Sequence, residues 1–200
     1  MNTELQQPVR VSEAGLVTLP YYTDIVAQEK LDGVRAVYLP EEGGLYTRNG
    51  KRLVSCEHIA DRLNALGCTA KLDGEVYIPG EPLNVIAGKA RRKSMQSELQ
   101  FHVFDIAGPG TFRERYNALC VYLGRYKDVL HPLVVPVGVL TPSERPLSIF
   151  LEEVVSRGGE GIIVRDGASE YLSGYAPLAA LKVKPDYIAE MPDGDRWDKV

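Results

Sequence analysis

Apolar and polar positions alternate along several short stretches of this chain and recur every three or four residues along others. Residues 35–39 (RAVYL) and 45–48 (LYTR) flank a polar "EEGG". Its glycines permit the positive backbone angles of a tight reversal, so the spacing predicts a hairpin. Ile59, Leu63 and Leu66 fall on one face of a helix expected from Ser55 to Leu66, with Ser55 as N-cap and Gly67 as terminator. Tyr116, Leu119, Leu123, Tyr126 and Leu130 step by three and four and predict a second helix over 112–130. A third is expected over 144–157, ended by Gly158. Val, Ile and aromatic content marks 72–78, 100–106, 133–138, 161–165 and 179–184 as strands. Strands and helices do not alternate regularly. The pattern therefore predicts an α+β fold with antiparallel sheets over a doubly wound parallel one.

The length of 200 residues suits a single domain with a sizeable core, here 1–200 with 1–20 and 186–200 as peripheral tails. The 23 basic and 27 acidic side chains leave a net charge of -4 and no general pull toward nucleic acid or an anionic membrane. Any nucleic-acid contact must rest on a local patch. Cys56, Cys68 and Cys120 are odd in number and show neither CxxC spacing nor a Cys/His ligand set, which indicates neither a disulfide framework nor a zinc site. The N-terminus lacks the basic-then-apolar order of a secretory signal, and no apolar run approaches the ~20 residues that span a bilayer. A soluble intracellular protein with no membrane partner is expected.

Two common nucleotide-binding routes are missing. "AGKARRKS" lacks the spaced glycines and Ser/Thr of a P-loop, and no strand feeds a GxGxxG. His58, His102 and His131 are scattered, with no base or ligand spacing around them. What remains is a set of polar residues at strand ends. Lys182 and Lys184, two apart on a strand, project from one face, and their mutual repulsion is eased by an anion between them; a solvated strand face is the alternative. Glu160 sits between glycines, where a bare backbone lets a ligand or metal approach or simply ends the preceding helix. Asp73 and Glu75 share a strand face suited to a hydrated magnesium ion or a ribose hydroxyl. In "EKLDGVRA", Lys30 stands two residues before an Asp-Gly bend and five before Arg35. A lysine becomes a nucleophile only after losing a proton, which an ordinary pKa of ~10.4 forbids at neutral pH. A field from Arg35, Lys182, Lys184 and magnesium would ease that loss and stabilise a transferring phosphate. The reaction class implied is attack by Lys30 on a nucleotide's α-phosphate, giving a lysyl phosphoramidate and pyrophosphate.

With these residues in hand the sequence resembles the covalent nucleotidyltransferases, and among them the ATP-dependent DNA ligases of the compact bacteriophage kind. The resemblance runs from about Gln28 to Pro185. K-x-D-G-x-R appears as Lys30, Asp32, Gly33 and Arg35; T-R-N-G as Thr47 to Gly50; D-G-E as Asp73 to Glu75; an aromatic F-D as Phe104 and Asp105; E-G-I-x-V-R as Glu160 to Arg165; and K-x-K as Lys182 and Lys184. It implies an ATP-grasp-like ligase nucleotidyltransferase fold, with antiparallel sheets and flanking helices around a nucleotide cleft. It also implies ATP and magnesium as cofactors and nicked double-stranded DNA as partner. Lys30 would carry AMP, pass it to the 5′-phosphate of a nick, and leave the 3′-hydroxyl to seal the break; Asp32 and Arg35 complete the catalytic motif with Lys182 and Lys184, which grip the α-phosphate. Arg35 and Arg48 would hold the nucleotide or the 5′-phosphate, Glu75 the ribose, Glu75 and Glu160 the metal. Phe104 would stack on adenine and Gln28 would face its edge.

"KLDG" also occurs at Lys71 to Gly74, but no arginine follows it, so Lys71 is expected to be structural or solvated. Family members follow this domain with an oligonucleotide-binding barrel, and no C-terminal barrel is expected in the 16 residues after Lys184; the terminal Arg196 to Lys199 (RWDK) reads as a chance match to the barrel's ending. Residues 166–181 contain no Lys or Arg where relatives place an arginine. Lys89, Arg91, Arg92 and Lys93 form a basic cluster suited to a phosphate backbone, against the alternative of a solvated loop. A monomer is expected, in the host cytoplasm if the chain is phage-encoded. An RNA ligase, a capping guanylyltransferase or a non-catalytic nucleotide-binding module would share much of this pattern.

Overall fold

The computed structural model describes residues 5–7, 9–10, 22–176 and 179–185; the expected tails and the 196–199 segment lie largely or wholly outside them. In chain order the strands are β1 (Gln6–Gln7), β2 (Val9–Arg10), β3 (Ile25–Glu29), β4 (Val34–Leu39), β5 (Gly44–Thr47), β6 (Leu72–Tyr77), β7 (Gln100–Ile106), β8 (Val134–Pro136), β9 (Val139–Leu140), β10 (Ile162–Asp166), β11 (Gly174–Tyr175) and β12 (Ala180–Val183). The helices are α1 (Glu57–Ala65), α2 (Leu83–Ala90), α3 (Phe112–Arg125), α4 (Lys127–Leu130) and α5 (Leu147–Ser156). They fall into two compact units. One contains Leu5, Asp32–Pro109 and Glu114–Val137; the other contains Gly110–Arg113, the described residues between Gln6 and Leu31, and those from Gly138 onward.

The first unit is built on a five-stranded sheet ordered β5-β4-β6-β7-β8, antiparallel except for the last pair. Strand alternation sends Ala36, Tyr38, Leu72, Val76, Phe101 and Val103 to one face, where they are buried with Ile59, Leu63, Ile86 and Leu119 from the helices. Burying these side chains at about 1.5–3 kcal/mol each is what fixes the register. The second unit holds a sheet ordered β2-β12-β10-β3-β9, antiparallel except for β2 with β12. Ala27, Ile162, Val164, Leu181 and Val183 pack on Leu147, Leu151 and Val154 of α5. β1 and β11 form a separate parallel ribbon.

Mixed helices and mainly antiparallel sheets match the α+β expectation, and the hairpin is β4–β5, reversed through Gly43 at φ 56°. The helices differ in detail. Ser55 does not cap α1: it lies in a 3-10 turn over Val54–Cys56, buried, and its hydroxyl donates to the carbonyl of Ala90 at 2.8 Å. The expected 112–130 helix is interrupted at Tyr126, whose φ of -111° leaves the helical range, and resumes as α4. The third begins only after Pro146, since a proline has no N–H to give and suits a helix start. α2 and the strands β1, β2, β3, β9 and β11 were not predicted. α2 is only eight residues long with Gly88 inside it, which weakens its periodic signal. Among the described residues no helix is long and apolar enough to cross a membrane. The three cysteines are free, and burial pushes the Cys56 thiol up to about 11.

Candidate functional site

In the second unit, β10 lies between β12 and β3, so its residues form cross-strand rows. Ile162 pairs with Val183 on one side and Glu29 on the other. The next step back brings Gly161 between Lys184 and Lys30, and the Lys30 N–H donates to the Gly161 carbonyl at 2.9 Å. The same face continues with the row Lys182–Ile163–Gln28 and then Ala180–Arg165–Val26. Polar chemistry thus gathers on one face while the other packs on α5.

The centre of the first row has no side chain, and none would fit. Gly161 has φ 142°, and an added Cβ would stand 2.2 Å from the Val183 carbonyl oxygen. At Gly159 a Cβ would lie 2.5 Å from Val154 Cγ1. These glycines place Glu160 so that Oε2 accepts from Lys30 Nζ and Oε1 from Lys184 Nζ. All three side chains are half-buried, with 21%, 21% and 30% exposure for Lys30, Glu160 and Lys184. Burial raises the Glu160 carboxyl, but hydrogen bonds and charge from the two lysines outweigh it and hold the group below the usual carboxylate range. The expected ring of cations around Lys30 is corrected here: its nearest charge is an anion, which balances two ammonium groups that would otherwise repel. Glu29, the residue before Lys30, is tied to Arg157 at 2.5 Å.

Gln28 is buried, and its Oε1 accepts from Arg165 Nε at 3.0 Å. The Arg165 guanidinium lies 4.9 Å from the Phe112 ring centre. The amide is therefore oriented with its oxygen toward Arg165. Neither Ile163 nor Arg165 was singled out from sequence for a place on this face, although the period of two in "GIIVR" puts both of them there.

In the first unit Gly33 passes so close to β6 that a Cβ would be 2.4 Å from the Val76 carbonyl oxygen, which explains the glycine of the K-x-D-G-x-R motif. Asp32 is exposed. Arg35, Glu75 and His102 occupy successive positions across β4, β6 and β7. Arg35 is gripped by Asp73 through two hydrogen bonds of 3.1 and 2.7 Å and lies 5.3 Å from the Phe104 ring centre. Asp73 is 1% exposed, and the β6–β7 register shifts between it and Gly74; it serves Arg35, while half-buried Glu75 is the member of the expected acidic pair nearer the surface. Asp105 accepts two bonds of 2.9 Å from Arg115, both residues buried. Among the described residues no cluster of three His, Cys, Asp or Glu is present. A magnesium ion that keeps most of its waters needs only one or two carboxylates beside substrate phosphates. Glu160 is an ionised carboxylate of that kind, and it would take a metal in exchange for one of its two lysine partners.

Arg48 is exposed in a turn closed by Gly50 N–H to Thr47 O at 2.8 Å. Lys71 lies just before β6, where its carbonyl accepts from Ala107. The basic cluster is not one set: Lys89 Nζ pairs with Glu98 at 2.9 Å, whereas Arg91, Arg92 and Lys93 line a cavity of about 570 Å³ with Lys51 and Arg52.

Residues 17–184 match the family model described as ATP dependent DNA ligase domain. A DNA ligase of African swine fever virus (Warthog isolate) is 30% identical over 202 residues, covering 90% of this chain and 48% of its own. The chain thus spans about half the length of the curated relatives it matches. In fold it is similar to the Chlorella virus DNA ligase-adenylate (TM-score 0.72, 19% identity, 92% of this chain and 68% of that one). It is also similar to the bacteriophage T7 ATP-dependent DNA ligase in complex with ATP (TM-score 0.68, 20% identity, 92% and 69%). By the extent of the family match, this chain belongs to the ATP-dependent DNA ligase domain family.

Proposed function

We propose that this chain, 1–200, works as the nucleotidyltransferase domain of an ATP-dependent DNA ligase acting on nicked duplex DNA. The observation that carries the reading is the Lys30–Glu160–Lys184 network over the bare Gly161 position. A phosphate placed there meets two ammonium donors and no Cβ. The aliphatic Ile163 and the Gln28 amide follow along the strand, where a base would extend.

Lys30 Nζ attacks the α-phosphorus, forming the N–P bond while the bond to the bridging oxygen breaks and pyrophosphate leaves. An Nζ proton has to pass to solvent before attack, so the pair with Glu160 Oε2 opens first, and a second proton goes to solvent as the phosphoramidate forms. Glu160, held strongly ionised, is a charge partner and a poor proton store. Magnesium, when bound, would sit on Glu160 with phosphate oxygens and supply positive charge against the developing anion. Lys182 and Lys184 neutralise the transferred phosphoryl group. We further assign Glu75 to the ribose and to metal binding, and Phe104, one side of which carries Arg35, to the adenine. Arg35, Arg48, Lys89, Arg91, Arg92 and Lys93 are assigned to DNA phosphates. AMP then passes to the 5′-phosphate of the nick, and attack by the 3′-hydroxyl releases it.

Intact-mass measurement after incubation with ATP and magnesium tests this. One AMP should be gained by the wild type and by Lys71→Ala, and none by Lys30→Ala; nicked duplex should discharge the adduct. An adduct surviving in Lys30→Ala would refute the assignment.

A further inference from the structure

The cavity of about 570 Å³ in the first unit lies within the ~300–1,000 Å³ range of small-molecule sites. Its floor is aliphatic, from Val34, Leu53, Val54 and Ala87, and its rim is cationic, from Lys51 and Arg91 to Lys93. Arg52 belongs to the wall but is engaged with Glu57 through bonds of 2.8 and 3.0 Å. The four rim cations form no salt bridge among the described residues, and no Asp or Glu lines the cavity. Val54 is 39% exposed, a large apolar side chain left in contact with water at a charged site.

A duplex backbone does not account for both halves of this site. Its phosphates lie outside and its bases are stacked within, so it engages a cationic rim but gives an apolar floor nothing to pack on. Phosphate alone has the same shortcoming. An unpaired nucleotide of a single strand supplies both parts, a phosphate for the rim and an uncharged planar base for the floor.

We propose that this cavity holds an unstacked nucleotide of a single-stranded segment, with its base on Val54 and Leu53 and its phosphates among Lys51, Arg91, Arg92 and Lys93. This rests on the nucleic-acid role given above to the basic segment, but not on lysyl-AMP chemistry. It makes the surface a reader of unpaired nucleotides as well as a backbone contact.

The test is fluorescence anisotropy on the full chain with two labelled probes of equal length and charge at one salt concentration, oligothymidylate and an abasic sugar-phosphate oligomer. Thymidylate is expected to bind about 10-fold more tightly. Val54→Phe should tighten thymidylate binding by at least ~5-fold through stacking, and leave the abasic probe unchanged. Val54→Thr, nearly the same shape but more polar, should weaken thymidylate alone. Equal affinity for the two probes, or thymidylate binding indifferent to both substitutions, would overturn the proposal in favour of a plain anion surface. Self-labelling by ATP, measured on the same samples, separates this outcome from failure of the nucleotidyltransferase reading, because Val54 lies outside that machinery.

Discussion

The buried acids of the first unit and Glu160 of the second are held in opposite ways. In the first, Asp105 and Asp73 are buried and each takes two bonds from one arginine. In the second, Glu160 stands half-buried on a glycine-flanked turn and gives one oxygen to each of two lysines. A planar guanidinium fork satisfies a carboxylate fully and holds it in place; ammonium groups on flexible stems can exchange it for another anion. The first arrangement builds a scaffold, and the second builds a site that can open.

The contrast can be broken experimentally, beginning with the largest change in stability. Asp105→Ala leaves the Arg115 charge buried without its partner and should lower unfolding free energy by about 3–5 kcal/mol, read by chemical denaturation. A loss under 1 kcal/mol would show that the pair is not structural. Gly161→Ala meets both a forbidden backbone conformation, worth about 1–3 kcal/mol, and the Val183 carbonyl. It should lose ATP labelling even where it still folds. Glu160→Gln sharpens the comparison: its ion pairs are partly exposed, so stability should move by less than about 1 kcal/mol, while labelling falls by about 100-fold or more. Equal losses in both measurements would place Glu160 with the scaffold.

A further effect concerns acid. Burial pushes His102 down to about 4 from an ordinary 6.5, so the folded state resists protonation. The unfolded chain binds the extra proton between those values. Stability from this group is therefore present above pH 6.5 and is lost as pH falls toward 4, by about 2 kcal/mol at pH 5. His102→Gln should flatten that window. The Glu160 contribution, depressed below the ordinary carboxylate range, is lost only at still lower pH.

Lys30, Glu160 and Lys184 were legible because their motifs combine glycine, charge and period-two strands in short spans. Their pairing across β10 was not, since it depends on the β3–β10–β12 order, which joins residues some 130 and 150 positions apart only after the sheet has formed. Arg165 was noted only as the end of a motif, and its place beside Gln28 was missed for a related reason: a cation in an apolar strand looks like a strand end until Gln28 and Phe112 are found around it. Ser55 misled as a cap because its real acceptor, Ala90, lies on a helix whose glycine and short length hid it. The cavity beside Val54 has no sequence signature of its own, being lined from β4, β5 and the turn after it, α2 and the basic segment that follows, which are separate in sequence.

Along β10, alternate residues change from bare backbone at Gly161 to hydrocarbon at Ile163 to a guanidinium at Arg165, in steps of about 6.6–6.8 Å. Such a strand is a ruler graduated in polarity. A ligand whose ring is moved by a few bond lengths from its phosphorus would set the wrong part on the wrong mark, so analogues with stretched or shortened linkers should be rejected by length before any group recognises their chemistry.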